Sequence, residues 1–360
     1  MRGSFAVAVA SLPLISAQLN LYVQKVGLKY FGTATDSPYR RPAGNYSEYD
    51  AILRDHAEFD QWTSENGQKW EFTEPEQGVF NFMDGDIVTH AAQENDMMLR
   101  CHNLVWYMSL PEWVESTNWT AEALSEVIVN HITNVMEHYK GQCYAWDVVN
   151  EALNDDGTYR ESVFYKTQGE EYIKLAFSTA AQVDPDSKLY SNDYSIESPR
   201  NKSDGALRIV KLLQDDGIRI DRVGMQAHFV ASLAPSFDDQ AAVIESFAAL
   251  GVEVAYTELD VMIELPSNET NLEWQRQAYT DATSACISNE ACIGITVWDF
   301  HDPFSWVPEV VPGYGAAQLW FEDYSKHPAY YDIIEALKNG TGIEERHSRD
   351  PRLGKNLRRK

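Results

Sequence analysis

The chain is 360 residues long, 44% hydrophobic and 12% aromatic, which is enough apolar material for a large core and too much for an intrinsically disordered protein. Its 29 Lys and Arg stand against 55 Asp and Glu, and the resulting net charge of −26 repels phosphate backbones and anionic lipid. Nucleic-acid and membrane partners are thereby excluded, whereas a neutral polymer such as a polysaccharide is compatible.

At the start of the chain, Arg2 precedes an apolar run over 5–15 and then Ser16-Ala17. This is the layout of a secretory signal peptide cleaved after about Ala17, and the run is too short to span a bilayer. The chain is therefore read as a signal peptide at 1–17, one large domain at 18–341 and a basic flexible tail at 342–360. The mature protein is expected outside the cell. Sequons at Asn45, Asn118, Asn201, Asn268 and Asn339 point the same way, toward a glycosylated secreted protein.

Strand-like apolar runs follow at 30–34, 59–63, 97–105, 143–150, 188–193, 222–227, 253–258 and 294–300. Amphipathic stretches lie between them. In 123–139, Leu124, Val127, Ile128, His131, Ile132, Val135 and Met136 recur at helical spacing, and 205–213, 241–250 and 273–286 are further helices. A last helix over 329–338 is expected to end at Asn339-Gly340. Near-continuous apolar strands alternating with helices describe a parallel sheet covered on both faces, and eight repeats match a single (β/α)8 TIM barrel of the α/β class. A doubly wound open sheet is the second choice, disfavoured because no Gly-rich phosphate turn follows the first strand.

The four cysteines are too few for a disulfide scaffold. Cys286 and Cys292 flank the polar Ser288-Asn289-Glu290 turn and are expected to pair, whereas Cys101 and Cys143, within apolar runs, are expected to be buried free thiols. The histidines are scattered and no cysteines stand at ligand spacing, so no metal site is expected.

In such a barrel the active site lies at the C-terminal ends of the strands. Glu151 ends the run CYAWDVVNE and Glu258 ends EVAYTE, each following residues that belong in the core. Either one alone also reads as a helix N-terminal charge or a salt-bridge partner. Two together suit glycoside hydrolysis, in which one carboxyl protonates the leaving oxygen while the other attacks or assists at the anomeric carbon. His102, Asn150, Gln226 and His228 at strand ends, with Asn66 and Lys69 after the second strand, supply donors and acceptors for hydroxyl groups. Trp106, Trp298 and Trp306 offer flat faces for sugar rings, although each taken alone also reads as core.

These residues carry a resemblance to glycoside hydrolase family 10, running from about Gly32 to Leu337. The matching segments are FDQWTSENGQKWEFTEPEQGVFNF at 59–82, HNLVW at 102–106, YAWDVVNEAL at 144–153, LYSNDYS at 189–195, GMQAH at 224–228, TELDV at 257–261 and GITVW at 294–298. The resemblance implies a secreted, retaining endo-β-1,4-xylanase acting on a β-linked glycan as a monomer without cofactor. Glu151 would be the acid/base and Glu258 the nucleophile. Lys69, His102, Trp106, Asn150, Gln226, His228, Trp298 and Trp306 would surround the sugar at the cleavage point, with Glu65 and Asn66 one subsite further. His228 would bond to Glu258, and Asp260 would hold His228. The two carboxyl groups are expected about 5–5.5 Å apart.

Two departures adjoin these motifs. Tyr107 follows Trp106 where the family pattern has His, and WDFHDPFSW at 298–306 replaces a Gly after the last strand's Trp. The loop VPEVVPGYGAAQLWF that follows is long and aromatic. A second reading is therefore a family member that removes the sugar chain from a plant saponin such as α-tomatine. Phe300, Phe304, Trp306, Val307 and Trp320 would then form an apolar wall for the aglycone. A third reading is a non-catalytic carbohydrate-binding protein on the same fold, disfavoured because a pure binder needs no paired carboxylates.

Overall fold

A computed structural model describes residues 18–38, 40–41 and 44–347. The expected signal peptide and the last part of the expected tail, from 348 onward, lie outside the described residues.

Eight parallel strands close on themselves: β1 (Tyr30–Thr35), β2 (Gln61–Ser64), β3 (Met98–Cys101), β4 (Ala145–Asn150), β5 (Lys188–Asp193), β6 (Arg222–Met225), β7 (Glu253–Glu264) and β8 (Cys292–Val297). Tyr30 pairs with Gly294 while Cys292 pairs with Val254, so β8 joins both β1 and β7 and the sheet has no open edge among these strands. The barrel is therefore the expected one, not the open sheet. Helices cover its outside. In Ala121–His138 the buried face is made of Leu124, Val127, Ile128, His131, Ile132, Val135 and Met136, as their spacing predicts, and the Thr120 side chain caps its start by accepting from Ala123 N–H. The helix Glu171–Val183, absent from the sequence reading, buries Tyr172, Ile173, Ala176, Phe177 and Ala180 on one face.

Several boundaries move for local reasons. The expected run 97–105 splits, because β3 stops at Cys101 and Val105–Trp106 re-pairs with β4. The run 222–227 stops at Met225, and after Ala227, whose φ is +60°, His228–Val230 pairs with β7. That pairing, with Tyr314–Gly315 antiparallel on the other side, carries β7 past Glu258 to Glu264. The last helix runs from Pro328 to His347, through Asn339-Gly340 and into the stretch expected as tail. Gly340 does not stop it because it serves close packing there: a Cβ at that position would lie 2.6 Å from Ile287 Cδ1. No helix of the described residues is long and apolar enough to cross a membrane. All five sequon asparagines are exposed.

The cysteines require one correction. Cys286 and Cys292 pair as expected, but Cys101 and Cys143 are also joined, with Cα atoms 5.7 Å apart. Cys101 ends β3 and Cys143 stands two residues ahead of β4, with which β3 pairs, so this disulfide ties two neighbouring strands.

Inside the barrel the side chains form layers. The far end is plugged by Tyr30, Tyr144 and Tyr190, linked through their hydroxyls at 2.9 and 3.2 Å. Above them Arg100, fully buried, lies 4.0 Å over the Tyr190 ring and donates from Nε to Asp147 Oδ2 at 3.0 Å, with a second contact from Nη2. Asp147 also accepts from His102 Nδ1 at 2.9 Å. Removing one member of a buried ion pair strands the other without compensation. Arg100→Leu is therefore expected to lower unfolding free energy by about 3–5 kcal/mol. Urea denaturation followed by tryptophan fluorescence measures this, and an unchanged midpoint would show that the pair contributes nothing.

Candidate active site

Glu258 sits on β7 with its side chain directed into the barrel mouth and is 4% exposed. Asn192, at the end of β5, donates to its Oε1 at 2.7 Å, and His228 Nε2 lies 3.1 Å from its Oε2. Two residues further along the same strand, hence on the same face, Asp260 is fully buried with Oδ1 3.0 Å from His228 Nδ1. Trp306 donates its indole N–H to Asp260 Oδ2 at 2.7 Å and sets its ring edge-on to His228.

The charges in this row decide its protonation. Burial works against a cationic His228, but the charge and hydrogen bond of Asp260 and the bond to Glu258 outweigh it and hold the imidazole well above its ordinary pKa. Burial likewise works to raise Glu258, yet the His228 hydrogen bond and the charges of His102 and His228 bring it below the usual glutamate range. Glu258 is thus an ionised, desolvated carboxylate with donors on both oxygens.

Glu151 follows β4 with φ +53°, a left-handed conformation that is costly for a residue bearing a Cβ. Its N–H donates to Asn192 O at 2.8 Å, and its Oε1 accepts from Gln226 Nε2 at 3.2 Å. Asn150 Oδ1 accepts from both Gln226 and Asn192, at 3.2 and 2.8 Å. A short chain of amides, Gln226 and Asn192 meeting at Asn150, therefore connects the two glutamates. Asn192 reaches this position because Gly224 lies against it: a Cβ on Gly224 would fall 2.1 Å from Asn192 Oδ1.

On the opposite wall, Lys69 Nζ donates to Asn66 Oδ1 at 2.7 Å and stands 5.0 Å over the Trp106 ring, while Asn66 donates to Asp36 Oδ2 at 2.9 Å. Burial, followed by the charges of Asp299 and Asp36, pushes Glu65 up to about 8. Burial pushes Asp299 up to about 6 against hydrogen bonds from His301 and Phe300 N–H and the Tyr49 hydroxyl. Burial also lowers Lys69, against the pull of Glu65 and Glu258.

One cleft of about 780 Å³ holds Glu151 and Glu258 together with Glu65, Asn66, Lys69, His102, Trp106, Asn150, Gln226, His228, Trp298 and Trp306. Every site residue named from the sequence is brought there except Asp260, which lies beneath the floor. The expected apolar wall does not form. Phe304 and Trp306 face the cleft, but Phe300 and Val307 are fully buried and Trp320 is 1% exposed. Phe300 packs on Tyr49 and Trp320 on Phe59, so these side chains hold the loop down from inside. Asp36, Arg40, Arg41, Tyr194, Met262 and Asp299 line the cleft without having been assigned a role, and Asn192 bridges its two glutamates from below. Asn192 lies in LYSNDYS at 189–195, at the end of β5, and that strand-end position is the sequence signal for it. Among the described residues no cluster of three or more His, Cys, Asp or Glu has the arrangement to hold a metal ion.

The family model described as "Glycosyl hydrolase family 10" matches residues 18–336. The chain is 57% identical over 338 residues to endo-1,4-beta-xylanase A of Humicola insolens, covering 93% of this chain and 90% of the relative. It is 48% identical over 339 residues to endo-1,4-beta-xylanase D of Talaromyces funiculosus, covering 94% and 82%. Among solved structures, xylanase 10B from Thermotoga petrophila in complex with xylobiose superposes with a TM-score of 0.86 at 38% identity, covering 90% of this chain and 98% of that one. Native xylanase 10B from Thermotoga maritima gives the same TM-score and identity, covering 91% and 99%.

Proposed function

Because this chain belongs to glycosyl hydrolase family 10, we propose that it is a secreted endo-1,4-β-xylanase working by double displacement, with Glu258 as nucleophile and Glu151 as acid/base. The observation that carries this reading is the unequal setting of two glutamates in one cleft. Glu258 is buried, doubly hydrogen-bonded and held ionised, whereas Glu151 stands half-buried at the mouth with one donor, Gln226.

In the first step a Glu258 oxygen forms a bond to the anomeric carbon as the bond from that carbon to the leaving oxygen breaks, and the Glu151 proton passes to that oxygen. In the second, water attacks the anomeric carbon, its proton goes to Glu151, and the bond to Glu258 breaks with the electron pair returning to the carboxylate. Two inversions give retention, which requires carboxyl groups about 5–5.5 Å apart. Asn150 would meet the sugar's 2-hydroxyl: its Oδ1 is already occupied by two amides, and its Nδ2 has no acceptor among the described residues. Trp298 and Trp306 supply faces for sugar rings, and Glu65, raised to about 8, is a protonated donor at neutral pH, suited to bonding a hydroxyl oxygen. Export, supported by the exposed sequons and the N-terminal pattern, accords with a polymeric substrate outside the cell. All these groups come from one chain, so a monomer suffices.

The test is incubation of the purified protein with xylan and, side by side, with α-tomatine, with products resolved by chromatography and the first-formed anomer read by proton NMR. Xylo-oligosaccharides appearing first as the β-anomer are expected. Free aglycone without xylo-oligosaccharide, or initial α-anomer, would overturn the assignment.

A further inference from the structure

The loop after β4 makes a tight excursion and returns. Asn154 O accepts from Gly157 N–H at 2.9 Å, where Gly157 has φ +82°, and Leu153 bridges to Tyr159 antiparallel. The return brings Arg160 back to the strand end it left. There its Nε donates to the carbonyl of Glu151 at 3.1 Å, and its Nη2 donates to Leu153 O at 2.9 Å and to the Tyr194 hydroxyl at 3.0 Å. Its guanidinium lies 4.1 Å over the ring of Tyr107, the residue standing where the family pattern has His. Tyr107 and Tyr194 both face the cleft beside Glu151. Tyr194 is itself braced by the buried Lys202, whose Nζ lies 3.1 Å over its ring and 3.1 Å from Asp193.

Resting on the assignment of Glu151 as acid/base, we propose that Arg160 is a positioning residue that fixes the backbone of Glu151 in its left-handed conformation and so aims the carboxyl at the leaving oxygen. A residue with a Cβ does not stay at φ +53° unless its surroundings hold it. The Glu151 N–H is secured by β5 through Asn192 O, and its C=O is secured by Arg160, so both sides of the strained residue are tied. Guanidinium fits this task because its planar fork reaches two carbonyls and a hydroxyl at once, while its face packs on an aromatic ring. Tyr107, Arg160 and Phe164 line a narrow space beside Glu151. Tyr107 and Tyr194 hold the guanidinium from its face and its tip.

The test separates aim from mere folding by varying how much the reaction needs an acid. Aryl β-xylobiosides with dinitrophenol and with phenol as leaving groups are compared by kcat/KM, which reports the first displacement. For Arg160→Ala, kcat/KM is expected to fall roughly 10–100-fold with phenol, the scale of a misplaced catalytic group. With dinitrophenol, which departs without a proton, it should fall no more than about 3-fold, while kcat and KM drop together because the second displacement also needs Glu151. Tyr107→Phe, which keeps the ring face under the guanidinium, is expected to show no split between the two leaving groups. Should Arg160→Ala fail to fold, Arg160→Lys, which keeps charge but loses the fork, is expected to show the same leaving-group split in smaller measure. Equal loss with both leaving groups, or no loss with either, would overturn the proposal. Absence of any aryl xylobioside hydrolysis by the wild type would instead overturn the function on which it rests.

Discussion

Replacement of Glu258 by Gln is expected to lower kcat on xylan by roughly 10⁴–10⁶-fold, the scale on which the loss of a covalent nucleophile is felt. Glutamine preserves the volume and the carbonyl that accepts from Asn192, so the fold and the cleft should persist while the attacking oxygen disappears. Circular dichroism and a xylo-oligosaccharide binding isotherm check that, and reducing-sugar release measures the loss. Retained hydrolysis would remove Glu258 from the mechanism. The same carboxylate sets the acid side of the pH profile. It must be ionised to attack, so activity is present above its pKa and lost as pH falls through it. Burial acts to raise that pKa, but the His228 hydrogen bond and the charges of His102 and His228 prevail, and the acid limb of kcat/KM is expected below the ordinary glutamate range. In His228→Ala the donor and cation go while burial stays, so the limb should move to higher pH. A limb that does not move would show that His228 has no part in keeping Glu258 charged.

Glu151→Ala is expected to divide substrates by leaving group. Protonation by a positioned acid accounts for about 10²–10⁴ in rate, so kcat/KM on xylan and on phenyl xylobioside should fall by that factor, whereas dinitrophenyl xylobioside is attacked nearly as fast as before. Its kcat nonetheless falls, because no base remains to activate water, and glycosyl-enzyme accumulates. Azide, a nucleophile that needs no base, should then restore turnover and yield a β-glycosyl azide. Stopped-flow release of dinitrophenolate with and without azide measures both effects. An inability of azide to accelerate turnover, combined with equal loss on both substrates, would place the proton transfer on another residue.

The place of the two glutamates in one cleft was legible because each ends an apolar run, and in a parallel barrel such positions gather at one mouth. The helix face at Ala121–His138 was legible for a similar reason, a period carried through seven side chains. What escaped depends on contacts between distant strands. Glu258 seemed to end its strand, yet β7 continues to Glu264 because His228–Val230 and Tyr314–Gly315 pair with it, and no local pattern announces those partners. Cys101 and Cys143 look like buried thiols, and only the pairing of β3 with β4 makes the segments that carry them neighbours. Phe300, Val307 and Trp320 share a loop with the cleft-lining Phe304 and Trp306, but hydrophobicity alone does not tell which face of a loop turns inward. Asn192 and Arg160 act through other residues, and such roles emerge only when hydrogen-bond partners are known.

Glu151, Ser195, Ala227 and Asp299, following β4, β5, β6 and β8, all take left-handed backbone conformations. Side-chain-bearing residues of this kind each cost about 1–3 kcal/mol, so the rim that carries the glutamates is tense, while at the other end the hydroxyls of the tyrosine plug are satisfied by one another. Attempts to harden this molecule against heat therefore have an address. Substitutions around Tyr30, Tyr144 and Tyr190 can add rigidity without touching the machinery, whereas easing the rim with glycine would trade turnover for endurance.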